Sequence, residues 1–193
     1  MKTRKRISVP SIHFFASYSG TSIFKEITAK SLRRANGKNS KFILLFRKNG
    51  TKLLNAISRF TGYRWNSKSI DVYIVEHFPI PAISSPLIIN YYKDADYMLY
   101  LLVHELVHNN LANKEVLQLK RKGNRFLRKS HNGIEFLVSL VVKHIFDEFF
   151  PEKLDLIIKK ETKKLHITMW KTVDKCDWDL NKLPLKTYIK NFA

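Results

Sequence analysis

The sequence contains a single cysteine, Cys176, so no disulfide bond can form within the chain. The N-terminus is basic, but the apolar stretch IHFFA (12–16) is too short and too polar-flanked for a secretory signal peptide. Both observations predict a reducing, cytoplasmic setting. Long apolar runs are also missing, because no stretch reaches the roughly 18 uninterrupted apolar residues of a membrane span. The sequence therefore predicts no transmembrane segment.

Acidic residues are scarce. The chain has 16 Asp and Glu against 35 Lys and Arg, a formal net charge of +19. Such a surface attracts phosphates, acidic proteins and anionic membranes without specifying which, so nucleic acid is a possible partner. An ordinary solvated, Lys-rich face is the alternative interpretation. The basic residues cluster at 2–6, 119–129 and 159–164.

The apolar content of 45% over 193 residues is enough for one sizeable core. We predict an irregular N-terminal extension (1–40), a main domain (41–150), and a C-terminal helical segment with a tail (151–193). Within the main domain, the apolar patterns predict the following elements: a strand at 41–50 ending in an Asn-Gly turn, a helix at 51–62, a strand at 69–78, a loop, and a strand at 87–92.

Two strongly apolar helices follow. The first begins near Asp94 or Asp96, either of which can cap it, and runs through YMLYLLVHELVHNNL (97–111). A basic loop at 121–133 separates it from the second helix at 134–150, which Pro151 ends. One or two amphipathic helices then extend to residue 171 at most. This order of strands and helices predicts an α+β fold.

The first apolar helix carries three polar residues in its middle, His104, Glu105 and His108. The two histidines are four residues apart, so they share one helix face and can bind one tetrahedral Zn²⁺. Glu105 lies next to them, placed to reach a metal-bound water. This is the HExxH arrangement, in which a zinc-activated water is the nucleophile and Glu is the general base. The alternative is two satisfied core histidines and a Glu that reaches solvent.

A catalytic zinc needs a third protein ligand and an open position. The downstream segment SHNGIEFLVSLVVKH offers His131, Glu135 and His144. Either Glu135 or His131 can be the third ligand, and the other can orient the site or donate a hydrogen bond to the reacting oxygen. His144 lies three turns further on, where a core histidine with hydrogen-bond partners is the better prediction.

Four segments, IDVYIVEHF, SPLIIN, LLVHELVHNNL and IEFLVSLVV, resemble the minimal catalytic unit of the zincin metallopeptidases, over roughly residues 40–150. The chain looks most like the archaeal minigluzincins, compact zinc peptidases whose third ligand is a Glu in the later helix. The resemblance implies a small mixed sheet with an antiparallel edge strand over an active-site helix and a glutamate helix. It implies that His104, His108 and Glu135 bind zinc, that Glu105 is the base, and that the strand LIINYY receives a peptide or protein substrate.

A second resemblance competes with the first. The segment SHNGIEF (130–136) is similar to the His-Gly-x-x-Phe element of Spartan-type DNA-associated proteases, which supply a third His. One inserted residue lies between His131 and Gly133. This resemblance implies a nucleic-acid-associated zinc protease with His131 as a ligand. A third alternative is a basic nucleic-acid-binding module without catalysis, although a structural zinc site would normally need four protein ligands.

The tail segment DKCDWD (174–179) concentrates acidic residues in a basic protein. Minigluzincins look like zymogens whose C-terminal segment occupies the cleft. The resemblance therefore implies latency, with Cys176, Asp177 or Asp179 near the zinc. The alternative is an ordinary solvated tail anchored by Trp178.

Overall fold

The structure, a computed structural model, describes residues 8–17, 24–26, 40–112, 116, 131–160 and 164–191, and gives bounds for five strands and six helices. The strands are β1 (Ser11–Ser17), β2 (Phe24–Glu26), β3 (Ser69–Val75), β4 (Ala82–Ser84) and β5 (Leu87–Asn90). The helices are α1 (Ser40–Thr61), α2 (Ala95–Leu111), α3 (His131–Phe149), α4 (Pro151–Lys160), α5 (Lys164–Asp174) and α6 (Leu185–Asn191). The predicted basic clusters at 2–6 and 119–129 lie outside the described residues.

The strands form one mixed sheet in the order β2-β1-β3-β5-β4. The three inner strands run parallel, with Phe14 opposite Val72 and Val72 opposite Leu87. Both edge strands are antiparallel to their neighbours. The predicted combination of a small mixed sheet, an antiparallel edge strand and helices in an α+β chain is confirmed. The segment predicted as a loop after β3 contains β4.

The prediction that residues 1–40 are irregular is wrong for 11–17 and 24–26. Phe14 and Ala16 of β1 are buried and Ile12 is partly buried, while Ser11 and His13, on the opposite face of the strand, are exposed. This alternation places one face of β1 on the core. Because β1 pairs with β3, the sheet includes residues that the sequence assigned to a separate extension.

The predicted strand at 41–50 and its Asn-Gly turn are also wrong, because these residues form the first half of α1. Phe42, Phe46 and Leu53 are buried at helical spacing. The side-chain amide of Asn49 donates to the carbonyl oxygen of Leu45 at 3.0 Å, which is compatible with a helix interior. The predicted helix end is confirmed: α1 ends at Thr61, and Gly62 follows with φ +75°.

Helix α2 confirms the prediction of a buried apolar helix. Asp94 caps it, with its side chain accepting hydrogen bonds from the backbone N–H groups of Asp96 and Tyr97 at 3.0 and 3.1 Å. The helix packs on α1 and α3 and against strands β4 and β5. It therefore contacts both the sheet and two of the other helices.

The C-terminal segment is more ordered than a solvated tail. The predicted amphipathic helices are α4 and α5, and α6 follows within the predicted tail. Leu180, Leu185 and Ile189 are buried in the core, at 3%, 0% and 2% exposure. Trp178 lies between the rings of Phe136 and Tyr188, with centroids at 6.3 and 4.9 Å. This segment is part of the fold.

Within the described ranges, none of the helices combines the length and the apolar character required to cross a bilayer.

Candidate metal centre

The two histidines of α2 lie one turn apart on the same helix face, as their spacing predicts. Their rings are 4.9 Å apart between centroids, and their Nε2 atoms are 3.2 Å apart. Both side chains are mostly buried, at 16% and 15% exposure. Two unshielded ring nitrogens this close to each other need a proton or a cation between them.

Glu135 meets this pair from the early part of α3, which packs against α2. Its Oε2 lies 3.2 Å from Nε2 of His104, and its Oε1 lies 3.1 Å from Nε2 of His108. In the part of the chain that the structure describes, these three residues form the one group with metal-ligand chemistry, one ligand atom from each lying within 4.8 Å of the others. The structure thus brings together His104, His108 and Glu135.

The separations are close to those of a tetrahedral zinc site. Ligands at about 2.0–2.1 Å from a zinc ion are separated by about 3.3–3.4 Å along the edges of a tetrahedron. The two Nε2 atoms are 3.2 Å apart, and each lies 3.1–3.2 Å from a different oxygen of the Glu135 carboxylate. Two imidazole nitrogens and one carboxylate are also the donor set of known catalytic zinc sites. The residues present fit a metal ion with one open position.

No protein-family model, curated protein or solved structure matches this chain. The function therefore has to be inferred from the chemistry of the centre itself.

The electrostatics of the centre favour a charged carboxylate. Burial raises the pKa of Glu135, but hydrogen bonds and Coulombic attraction from His104 and His108 outweigh burial and hold the pKa far below its usual range. Burial lowers the pKa of His108, whereas its hydrogen bond to Glu135 and the charges of Glu135 and Glu105 raise it by more. In the absence of a metal, the carboxylate therefore stabilises a proton on His108.

Glu105 is buried, at 8% exposure, and it does not belong to the ligand group. Burial raises the pKa of its carboxyl above the ordinary value, and the charges of His104 and His108 offset part of that rise. The charge of Glu135 acts in the same direction as burial. A buried carboxyl with a raised pKa, beside a cation site, has the properties of a proton acceptor and donor.

Aromatic rings hold one side of the centre. Tyr100 lies one turn before His104 on α2, with their ring centroids 6.0 Å apart, and Trp170 of α5 lies 6.5 Å from the ring of Tyr100. The Nδ1 atom of His104 is buried and has no hydrogen-bond partner among the described residues. Packing therefore orients this ring, whereas metal-binding histidines usually also donate a hydrogen bond from the second nitrogen. Our sequence reasoning missed Tyr100, although its i−4 spacing from His104 was a usable signal.

His144 stands apart from the ligand group. His144 is a core histidine with partners, as predicted: its Nδ1 lies 3.0 Å from the carbonyl oxygen of Leu140, and its Nε2 accepts a hydrogen bond from the backbone N–H of Leu180. Helix α3 begins at His131, so this residue is helical and does not belong to the predicted basic loop. Its side chain lies outside the described part of the chain.

The acidic tail residues are not among the ligands of the centre. Asp179 accepts hydrogen bonds from the backbone N–H of Asn181 and pairs with Lys182 at 3.4 Å. Cys176 is partly buried, which raises the pKa of its thiol. Neither these residues nor Asp177 joins the group formed by the two histidines and Glu135.

Proposed function

We propose that this protein is a zinc-dependent metallopeptidase of the gluzincin type, in which His104, His108 and Glu135 hold the metal. One observation carries the proposal: the Nε2 atoms of His104 and His108 lie 3.2 Å apart, and each lies 3.1–3.2 Å from one oxygen of the Glu135 carboxylate on a second, packed helix. A buried carboxyl, Glu105, lies between the two histidines along α2. This combination is what hydrolysis by an activated water requires.

The proposed mechanism assigns a different task to each acidic residue. Glu135 supplies negative charge to the metal and keeps the two imidazoles in register. Glu105 accepts a proton from the attacking water and delivers it to the leaving amine. Burial raises its pKa, the direction expected of a group that both accepts and donates a proton. When bound, a zinc ion would polarise the scissile carbonyl and lower the pKa of the water.

The sheet supports a location for the substrate. We predicted that LIINYY would receive the substrate backbone, but β5 has strand neighbours on both sides, so this prediction is wrong. The neighbouring edge strand β4 has no partner on its outer side among the described strands, and it packs on α2, the helix that carries the histidines. A peptide that adds to β4 as a further strand would therefore run beside the proposed centre.

Metal analysis combined with a peptidase assay tests the proposal. The protein purified with zinc should contain one equivalent of metal and hydrolyse an unstructured protein substrate. A chelator should remove this activity, and added zinc should restore it. The variant Glu135→Ala should lose the metal, whereas His144→Ala, which changes a histidine outside the ligand group, should retain it. A wild-type protein that binds no metal would reject the proposal.

A further inference from the structure

The outer face of α1 presents a row of lysines. Lys41, Lys48 and Lys52 are all exposed, whereas the opposite side of the helix is buried in the core. At 100° per residue, Lys48 and Lys52 each lie within about 20° of Lys41 around the helix axis. The three side chains therefore form one straight basic stripe, which extends over about 16 Å along the helix. We call these three residues the α1 stripe.

The α1 stripe has no acidic counterpart on its own helix. Helix α1 contains no Asp or Glu in 22 residues. Some basic side chains elsewhere in the described chain do lie in ion pairs: Lys143 with Asp147, Lys153 with Asp96, and Arg59, at the end of α1, with Glu148 of α3. None of the stripe lysines forms an ion pair with a described residue. The fold thus leaves uncompensated charge on one face, in addition to the net charge of +19.

We infer that the α1 stripe binds the phosphate backbone of a nucleic acid. A strand of B-form DNA carries one phosphate per about 3.4 Å of rise, so the stripe spans about five phosphates, which its three lysines can contact. Lysine side chains bind phosphates as flexible point charges, without base specificity. The interaction is therefore non-specific in sequence and sensitive to salt.

A membrane surface fits this face less well. Helices that lie on membranes insert a broad apolar face below the lipid headgroups. On α1 the apolar face is buried in the core, and Leu44 is the large apolar residue that the outer face exposes, at 57%. A single leucine provides little apolar area for insertion. The lysines alone favour a polyanion in solution.

The test compares two triple variants with the same change in charge. One is Lys41→Gln/Lys48→Gln/Lys52→Gln. The control is Lys159→Gln/Lys171→Gln/Lys175→Gln, which removes three exposed lysines from α4, α5 and the residue after α5. Fluorescence anisotropy with labelled single-stranded RNA, single-stranded DNA and double-stranded DNA is measured over a series of salt concentrations. Thermal unfolding checks that both variants fold.

We expect the stripe variant to bind at least tenfold more weakly than wild type, and the control to stay within about threefold. The slope of log affinity against log salt should become shallower by about 2 in the stripe variant, given about 0.7–0.9 per lost phosphate contact. The variant Glu105→Gln should bind as wild type does, so this result is independent of the proposed peptidase activity.

Three outcomes would overturn the inference. The wild type could fail to bind any of the three nucleic acids. Both triple variants could weaken binding equally, which would assign the effect to net charge. Sedimentation with phosphatidylserine vesicles could depend on the stripe while nucleic-acid binding does not, which would assign the stripe to a lipid surface.

Discussion

Helices α1 and α2 lie against each other in the same core, yet their charged side chains differ in exposure to solvent. In α1, the lysines are exposed to solvent, and most of the apolar residues are buried in the core. In α2, apolar residues surround the helix, and Glu105 lies within it at 8% exposure. An exposed lysine on α1 costs the fold little, because water solvates its charge. The polar residues on α2 need partners to offset the cost of their burial.

This difference shows where in the chain the chemistry can be sought. The HExxH residues stand out because they are polar residues in a buried helix, where water does not solvate them freely. The structure supplies both histidines with the same partner, Glu135, and this residue belongs to the proposed centre. The α1 stripe stands out for the contrary reason, since its charge has no partner within the described fold.

The largest effect is expected at the buried acid of α2. Glu105→Gln preserves shape but removes the proton acceptor, so kcat for peptide hydrolysis should fall by about 10²–10⁴-fold. The metal content should remain at the wild-type value, because Glu105 is not a ligand in this centre. Single-turnover kinetics with zinc analysis of the same sample measures both. A variant that keeps its activity would show that another group carries the proton.

Removal of a ligand should act on the metal first. His108→Ala removes one of three ligand atoms, so zinc affinity should fall by more than the roughly 100-fold that loss of a supporting hydrogen bond can cost. Competition with a chromophoric chelator measures the affinity. Lys48→Ala on α1 is the control and should leave it unchanged. Equal zinc affinity in His108→Ala and wild type would exclude His108 as a ligand.

A matched pair of leucines compares the two helices directly. Leu102 of α2 is fully buried, while Leu44 of α1 is 57% exposed. Leu102→Ala should lower the free energy of unfolding by about 2–5 kcal/mol through lost contacts and a cavity. Leu44→Ala should change it by no more than about 0.5 kcal/mol. Urea denaturation measures both, and similar values for the two variants would contradict the assignment of the faces.

The smallest effect is expected at the start of α2. Asp94→Ala removes the side chain that accepts hydrogen bonds from two backbone N–H groups, so it should lower the free energy of unfolding by about 1 kcal/mol. Asp94→Asn keeps the acceptor oxygen and should remain close to wild type. Thermal unfolding of both variants measures the difference. An equal loss in Asn and Ala would point to the charge of Asp94.

The sequence was most informative where the local signals agreed. Helix α2 has a capping Asp94 and a continuous apolar pattern, and the structure confirms it. The segment 41–50 was misread because a run such as FILLF fits either a strand or a buried helix turn, and the Asn-Gly pair that suggested a hairpin lies inside α1. The next apolar residues, Leu53 and Leu54, continue the same helical face. The helix can therefore be distinguished from a strand only when a longer stretch of sequence is considered.

The pairing of distant segments could not be predicted in the same way. Strand β4 lies at the edge of the sheet, and β1 lies within it. Both positions depend on the order of the strands, which cannot be predicted from the sequence of one short strand. The proximity of His104 and His108 followed from helical spacing alone. Glu135 could be selected as the third proposed ligand only from the family resemblance or from the packing of α3 on α2. The sequence between these helices does not determine how close Glu135 comes to the histidines.

The buried C-terminal helix has a consequence for any scheme of proteolytic activation. Exposing Leu180, Leu185 and Ile189 to water would cost about 1.5–3 kcal/mol for each side chain. The sum approaches the whole stability margin of a typical domain, about 5–15 kcal/mol. Cleavage that released everything beyond Asp174 should therefore destabilise the core that holds His104, His108 and Glu135 together. Activation by removal of the C-terminal segment would carry a large cost in stability.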